Sequence, residues 1–351
     1  MSEPSPVPGS GLVSIGLPVR NGAQFLREAL DSLVTQDYPY FEIIISDNAS
    51  EDETEAICRD YAARDARIRY YRSEQNLGPI RNHQRVYELA RGEYFMWAAH
   101  DDRRAPRCLS LCVAALERDP LAVMCCMDTR FIDEAGKVIA DAFPGGYHPT
   151  GLTPYKRLRQ IARASSWVDI HSLFRTPVIG QTRMGKLNVW GFDVVLTAEV
   201  CLRGNVLAVP EQLLEYRYFH AKTGAELAQT LSTPATTVVE SYSDLAAELM
   251  ESVRLSPLSF AQKIRSILML AVELSVLNSV VAWAIRQEGI SAARRARVRG
   301  DYRRTLMLVL ISVLNWWGSF GRRMKDSALY QSGKLKSRLL PHERNLGTPP
   351  D

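Results

Sequence analysis

What this sequence lacks narrows the field first. Its six cysteines, Cys58, Cys108, Cys112, Cys125, Cys126 and Cys201, include no Cys-x-x-Cys pair. That excludes a disulfide-stapled secreted fold and leaves reduced thiols serving as small apolar residues. Cys108 and Cys112 stand one helical turn apart, but two thiols without nearby partners make a poor zinc site. No run of twenty uninterrupted apolar residues occurs: 264–285 is broken by Glu273 and Asn278, and 305–320 has 16 residues. No Gly-rich, Lys-bearing phosphate loop follows the first apolar run, which argues against nucleotidyl transfer. The opening MSEPSPVPGSG has neither the basic start nor the apolar core of a signal peptide. Residues 1–11 therefore read as a disordered leader on a cytoplasmic protein.

What is present is ordinary globular material. Apolar content of 46% and charged content of 23% over 351 residues allow one large domain and a smaller appendage. The net charge of +4 is unevenly spread: residues 286–325 hold ten Arg or Lys against Glu288 and Asp301, a local excess of +8. A basic tail of this kind suits an anionic partner or membrane surface.

Along the chain, short apolar runs alternate with helical periodicity. Residues 12–19 (LVSIGLPV), 41–46 (FEIIIS), 68–72 and 94–99 read as strands. Residues 23–35, 52–63 and 81–90 read as the helices between them, the second with Ser50 and Glu53 spaced as a capping box. Such alternation predicts a Rossmann-like, doubly wound, mainly parallel α/β sheet. The fourth strand ends in the stretch YFMWAAHDD, residues 94–102, which delivers His100, Asp101 and Asp102 to the C-terminal sheet edge where open α/β sheets bind ligands. Two adjacent carboxylates there repel unless a cation or hydrogen-bond donors hold them. The pair reads as a site for Mg²⁺ or Mn²⁺ shared with substrate phosphates; a polar turn capping the next helix is the alternative.

Four ordered segments, VSIGLPVRNG, QDYPYFEIIISDNASEDET, RYYRSEQNLGPIRN and ARGEYFMWAAHDD, together resemble the nucleotide-binding half of family 2 glycosyltransferases over about residues 13–220. The resemblance implies the GT-A fold, a C-terminal helical appendage and inverting transfer from a nucleotide-sugar donor of UDP or dTDP type. It places the donor nucleotide against Pro18, Val19, Asp47, Asn76 and Arg81, with Asp47 on the base. It makes Asp101 the main metal ligand and Asp102 its companion. Relatives commonly carry an aspartate where this chain has Ala99 and an aromatic where it has Arg20. His220 is expected to complete the metal sphere, and Arg217 to neutralise the diphosphate. Asp193, at the start of an apolar helical stretch, resembles the base that deprotonates the acceptor hydroxyl, and the helix N-terminus should depress its pKa. Glu199 is the weaker candidate for that role.

The expected divisions are a leader at 1–11, a glycosyltransferase domain at 12–220, a helical and partly basic region at 221–330 and a flexible tail at 331–351. If both apolar tail runs crossed a membrane, the arginines between them would stay inside and the catalytic domain would lie outside, away from nucleotide sugars. Amphipathic helices on the inner leaflet, or helices packed on the domain or on a second copy, are the readings left open. Nucleic acid is not expected, because the tail aromatics do not interleave with the arginines. The implied function is glycosyl transfer to a glycan or lipid-linked acceptor in cell-surface polysaccharide synthesis. The alternative is a non-catalytic scaffold of the same fold at the membrane surface.

Overall fold

The structure is a computed structural model that describes residues 11–141, 148–150, 153–164, 167–187, 189, 191–219 and 238–273. Expectations for the leader before residue 11, Trp190, His220 and everything after 273, including the 305–320 run, lie outside the described residues.

The expected alternation forms β1 (Val13–Val19), α1 (Ala23–Val34), β2 (Phe41–Asp47), α2 (Thr54–Arg64), β3 (Ile68–Arg72), α3 (Pro79–Glu88) and β4 (Tyr94–Trp97). There follow β5 (Arg103–Arg104), α4 (Cys108–Arg118), β6 (Ala122–Ile132), β7 (Val138–Asp141) and α5 (Pro154–Ala164). A 3-10 turn (Trp167–His171) leads into β8 (Leu173–Arg175), α6 (Thr176–Ile179), α7 (Phe192–Cys201) and β9 (Asn205–Arg217). Two further helices, α8 (Val238–Leu255) and α9 (Phe260–Val272), complete the described chain.

The strands form one sheet in the order β3-β2-β1-β4-β8-β6-β9-β5, with β7 paired to β6. The half from β3 to β4 is parallel. Beyond it β8 runs antiparallel to both β4 and β6, whereas β6 and β9 are parallel. β1, β2 and β4 are buried at every residue, as strands covered on both faces must be. Alternate side chains divide between two cores, as a period of two dictates. Ile44, Phe95 and Trp97 enter one cluster, and Ile43, Ile45 and Met96 enter the other.

One expectation about local structure is corrected. Ser50 does not cap α2: its hydroxyl accepts the Asn21 amide (3.0 Å) and the helix begins at Thr54. Thr54 Oγ1 accepts the Gly22 amide (2.9 Å), so the loops after β1 and β2 are tied together. Residues 205–217, which include Pro210, form one strand, β9, which follows β6 through a register shift at Asp128.

Helices α8 and α9 share the domain's core. Leu245, Leu249, Met250 and Leu270 join the cluster that holds Phe95 and Trp97. α9 also exposes Phe260 (80%), Ile264 (43%) and Leu268 (55%) at four-residue intervals, an apolar stripe on its outer side. No helix among the described residues is long and apolar enough to cross a membrane.

Candidate active site

The C-terminal ends of β1, β2 and β4 meet at a cleft of about 570 Å³. One wall is Pro18, Val19 and Arg20 from the end of β1, with Asn48 after β2 and Asn76 before α3. The floor is the β4 terminus, Ala98 to Asp101. The opposite wall comes from the 3-10 turn (Ile170, His171), the start of α7 (Phe192, Asp193) and Tyr216 of β9.

The turns that shape this edge have identifiable causes. Asn21 (φ 51°) and Ala49 (φ 57°) adopt left-handed backbone; Asn tolerates it, but Ala49 carries strain of about 1–2 kcal/mol beside the cleft. Gly22 is required for a different reason. A Cβ there would lie 2.5 Å from His100 Cδ2 and 2.7 Å from Val19 Cγ2, so the missing side chain lets the imidazole settle against the β1 loop.

Asp101 and Asp102 part company at the strand end. Asp101 is half-buried and faces the cleft. Asp102 is turned inward and buried, with Oδ1 accepting the Arg217 amide (2.9 Å) and Oδ2 lacking a hydrogen-bond partner. Burial, reinforced by the Asp101 charge, pushes the Asp102 pKa up to about 8. Its Oδ2 lies 3.9 Å from His171 Nε2, too far for a hydrogen bond. His171 is held down to about 3 by burial and the Arg104 charge, so it stays neutral. Asp102 is therefore a buried strut under the loop that presents Asp101, and it does not line the cleft where it was expected as a second ligand. The Asp101 carboxylate fits a divalent cation that would take its remaining ligands from phosphates and water, since Mg²⁺ sites often use one or two carboxylates.

Asp193 reaches the cleft from the first turn of α7, which starts at Gly191 in left-handed conformation (φ 78°). Its pKa is corrected in direction. The Val194 amide and its own amide lower it, but burial outweighs them and raises it from 3.8 to about 6. Its neighbour Phe192 also lines the cleft and makes an edge contact with His83 (centroids 5.3 Å).

Several expected contacts are elsewhere. Asp47 is fully buried below the cleft: Oδ1 accepts the Ser50 amide (2.9 Å), and Oδ2 accepts the Tyr70 hydroxyl (2.8 Å) with Arg72 Nε at 3.4 Å. The next residue, Asn48, faces the cleft instead, as alternation along an extended strand requires. Arg81 is paired with Glu88 on the exposed side of α3 (2.8 Å) and does not line the cleft. Arg217 is 2% exposed, and its guanidinium donates to the carbonyls of Asp101, Asp133 and Glu134 and to Glu28. Glu199 is also spoken for: it receives the Arg183 amide (2.7 Å), the Arg183 guanidinium and the Ser252 hydroxyl (3.2 Å). Asn76 lines the cleft, its Oδ1 accepting from Asn48 Nδ2 (2.8 Å) and the Gly78 amide (2.9 Å).

Among the lining residues left without a role by the sequence are Asn48 and Asn82. Asn82 clamps Ser46 at the β2 end through its hydroxyl (2.7 Å) and carbonyl (2.9 Å). A polar residue on the inner face of an otherwise amphipathic α3 was the signal for it.

With this geometry in hand, residues 14–176 match the family described as Glycosyl transferase family 2. Over that stretch, just under half of its length, the chain is similar to family 2 glycosyltransferases. Curated relatives include an uncharacterized glycosyltransferase of Rickettsia typhi, 40% identical over 97 residues, which are 28% of this chain and 29% of that protein. One from Rickettsia prowazekii is 41% identical over 93 residues, 26% and 28% of the two chains. The chain thus spans under a third of the length of these relatives. Among solved structures, S. aureus TarS 1-349 in complex with UDP matches with a TM-score of 0.58 at 14% identity, over 94% of both chains. Longer S. aureus TarS matches at 0.63 and 17%, over 92% of this chain and 54% of that one. At such identities the likeness is one of fold, and the fold is GT-A. The family match ends before α7, so Asp193 lies beyond it.

Proposed function

We propose that this chain moves a sugar from a UDP- or dTDP-type donor to a hydroxyl of a glycan or lipid-linked acceptor, with inversion at the anomeric carbon, in cell-surface polysaccharide synthesis. The observation that carries this reading is that Asp101 and Asp193, separated by more than ninety residues of sequence, line one cleft at the C-terminal edge of the parallel strands.

The nucleoside would lie along Pro18, Val19, Asn48 and Asn76, with the diphosphate towards Asp101 and His100. Arg20 lines the same wall and, among the described residues, is tethered only to the exposed Glu51 (3.2 Å, 39% and 79% exposed). It is free to swing to the diphosphate, the task expected of Arg217. When bound by Asp101, Mg²⁺ or Mn²⁺ neutralises charge on the leaving diphosphate. Asp193 takes the proton of the acceptor hydroxyl as the oxygen attacks from the far side of the sugar. A carboxylate titrating near 6 is mostly ionised at neutral pH, yet more basic than an ordinary aspartate. The stripe Phe260, Ile264 and Leu268 supports inner-leaflet association, which suits a lipid-linked acceptor.

The test is a panel of nucleotide sugars, read first by thermal shift, because a true donor raises the midpoint by mass action. Turnover of the selected donor then follows with Mn²⁺ present. Asp101→Ala should lose at least 100-fold in turnover, since removing a preorganised charge contact costs about 10²–10³. Activity near wild type would refute the metal role; no turnover with any donor would favour the scaffold.

A further inference from the structure

Behind the cleft wall, four side chains from three segments converge. Cys126 and Asp128 lie two apart on β6 and share a face. His148 comes from the segment 148–150, and Asp169 from the 3-10 turn. Ligand atoms of Cys126, His148 and Asp169 all lie within 4.8 Å of one another. His148 Nδ1 stands 3.3 Å from Asp169 Oδ1, and its Nε2 stands 3.3 Å from Asp128 Oδ1.

We propose that Cys126 Sγ, His148 Nδ1 and Asp169 Oδ1 form a zinc site, separate from the Asp101 cleft, with Asp128 as the carboxylate that orients the imidazole. The distances suit this use. Two ligands each about 2.0–2.1 Å from a tetrahedral ion are about 3.3 Å apart, which is the Nδ1 to Oδ1 separation. The same 3.3 Å is long for a charge-assisted hydrogen bond, which closes to about 2.7–2.9 Å. Asp128 on Nε2 completes the carboxylate–histidine–metal arrangement that holds a ligating ring in one tautomer.

The donor set selects the ion. Thiolate, imidazole and carboxylate together suit Zn²⁺ and not Mg²⁺, which prefers oxygen alone. Cys126 is fully buried and Asp169 is 4% exposed, so a thiolate and a carboxylate balance a dication where lone charge would be costly. Binding expels the thiol proton to solvent as the Zn–S bond forms. Three protein ligands leave a fourth position for water. Ile170 and His171 follow Asp169 directly and line the cleft, so the ion would pin both segment 148–150 and the acceptor-side wall to β6.

Cobalt distinguishes this site from the cleft, because only a cysteine ligand gives a thiolate-to-cobalt charge-transfer band. The full chain, stripped with chelator, should bind one equivalent of Co²⁺ with that band, and Zn²⁺ should displace it. Cys126→Ser should abolish the band, Asp128→Asn should weaken binding about 10–100-fold, and Asp101→Ala should leave the band unchanged. His148→Gln, at a half-buried position on a short surface segment, should weaken binding at least tenfold and serves if the Cys126 variant does not fold. Absence of the band in the wild type would overturn the proposal, as would a band that survives both Cys126→Ser and His148→Gln. Neither result would bear on the role of Asp101.

Discussion

Asp193 couples the proposed chemistry to a measurable loss of stability. Burial raises its pKa from 3.8 to about 6, so the folded state holds a proton that the unfolded chain releases at lower pH. Between those values the folded state binds more protons, and stability falls as pH rises. The penalty is absent below about pH 4 and complete once pH has passed through about 6. A displacement of that size corresponds to about 3 kcal/mol. Solvent in the cleft screens part of it, so about 1–2 kcal/mol is the working figure. Asp193→Asn keeps the shape and removes the charge. It should therefore be more stable than wild type by about 1–2 kcal/mol at pH 8 and indistinguishable from it at pH 4.

The same substitution should cost about 10²–10⁴ in turnover, the usual worth of a general base. The wild-type kcat/KM should fall on the acid side with an apparent pKa near 6, and the residual activity of Asp193→Asn should lack that limb. Denaturant titrations at pH 4, 6 and 8 give the stability difference, and initial rates with the donor found by thermal shift give the profile. Equal stability at pH 8 would refute the desolvated carboxylate, and undiminished turnover would refute its role as base.

Two other substitutions separate structure from chemistry. Arg217→Met leaves three backbone carbonyls and Glu28 without their donor, and breaking such a buried charge network should cost about 3–5 kcal/mol. Its activity should fall together with its Tm; an unchanged Tm with a raised donor KM would restore Arg217 to the diphosphate. Gly22→Ala drives a methyl group into the His100 ring, which should cost about 1–3 kcal/mol and raise donor KM more than it lowers kcat. Retention of wild-type stability and KM would mean that the imidazole can move aside without consequence.

The parallel half of the sheet was legible because each strand carries its own hydrophobic run and each helix its own period. Ile43 to Ile45 and Tyr94 to Trp97 announce buried strands before any pairing is known. The mixed half was less so. β8 has three residues and earns its place between β4 and β6 through partners that no local pattern names. The cleft was legible to the level of segments. Pro18, Val19, Asn76, Asp101 and Asp193 do line it, whereas Asp47, Asp102, Arg81 and Arg217 occur in the same segments and do not. A motif places a stretch of chain at a sheet edge, but one residue of register decides which side chain faces solvent and which faces the core.

Asp101 and Asp102 make that difference concrete, because two identical side chains in sequence receive opposite surroundings. They sit beyond β4, where the backbone bends at His100 and Asp101, and meet different surroundings. The outward carboxylate meets the cleft; the inward one meets Arg217 of β9 and the neutral face of His171. With its pKa at about 8, Asp102 is mostly protonated at neutral pH, so the interior beneath the proposed cation site carries no second full negative charge. The Arg217 amide donates to Asp102, and the Arg217 guanidinium donates to the Asp101 carbonyl; together they fasten the β4 terminus to β9. The loop that presents Asp101 is thus held by buried groups that need not touch the donor, and stiffness is what lets one carboxylate hold a cation in a fixed place.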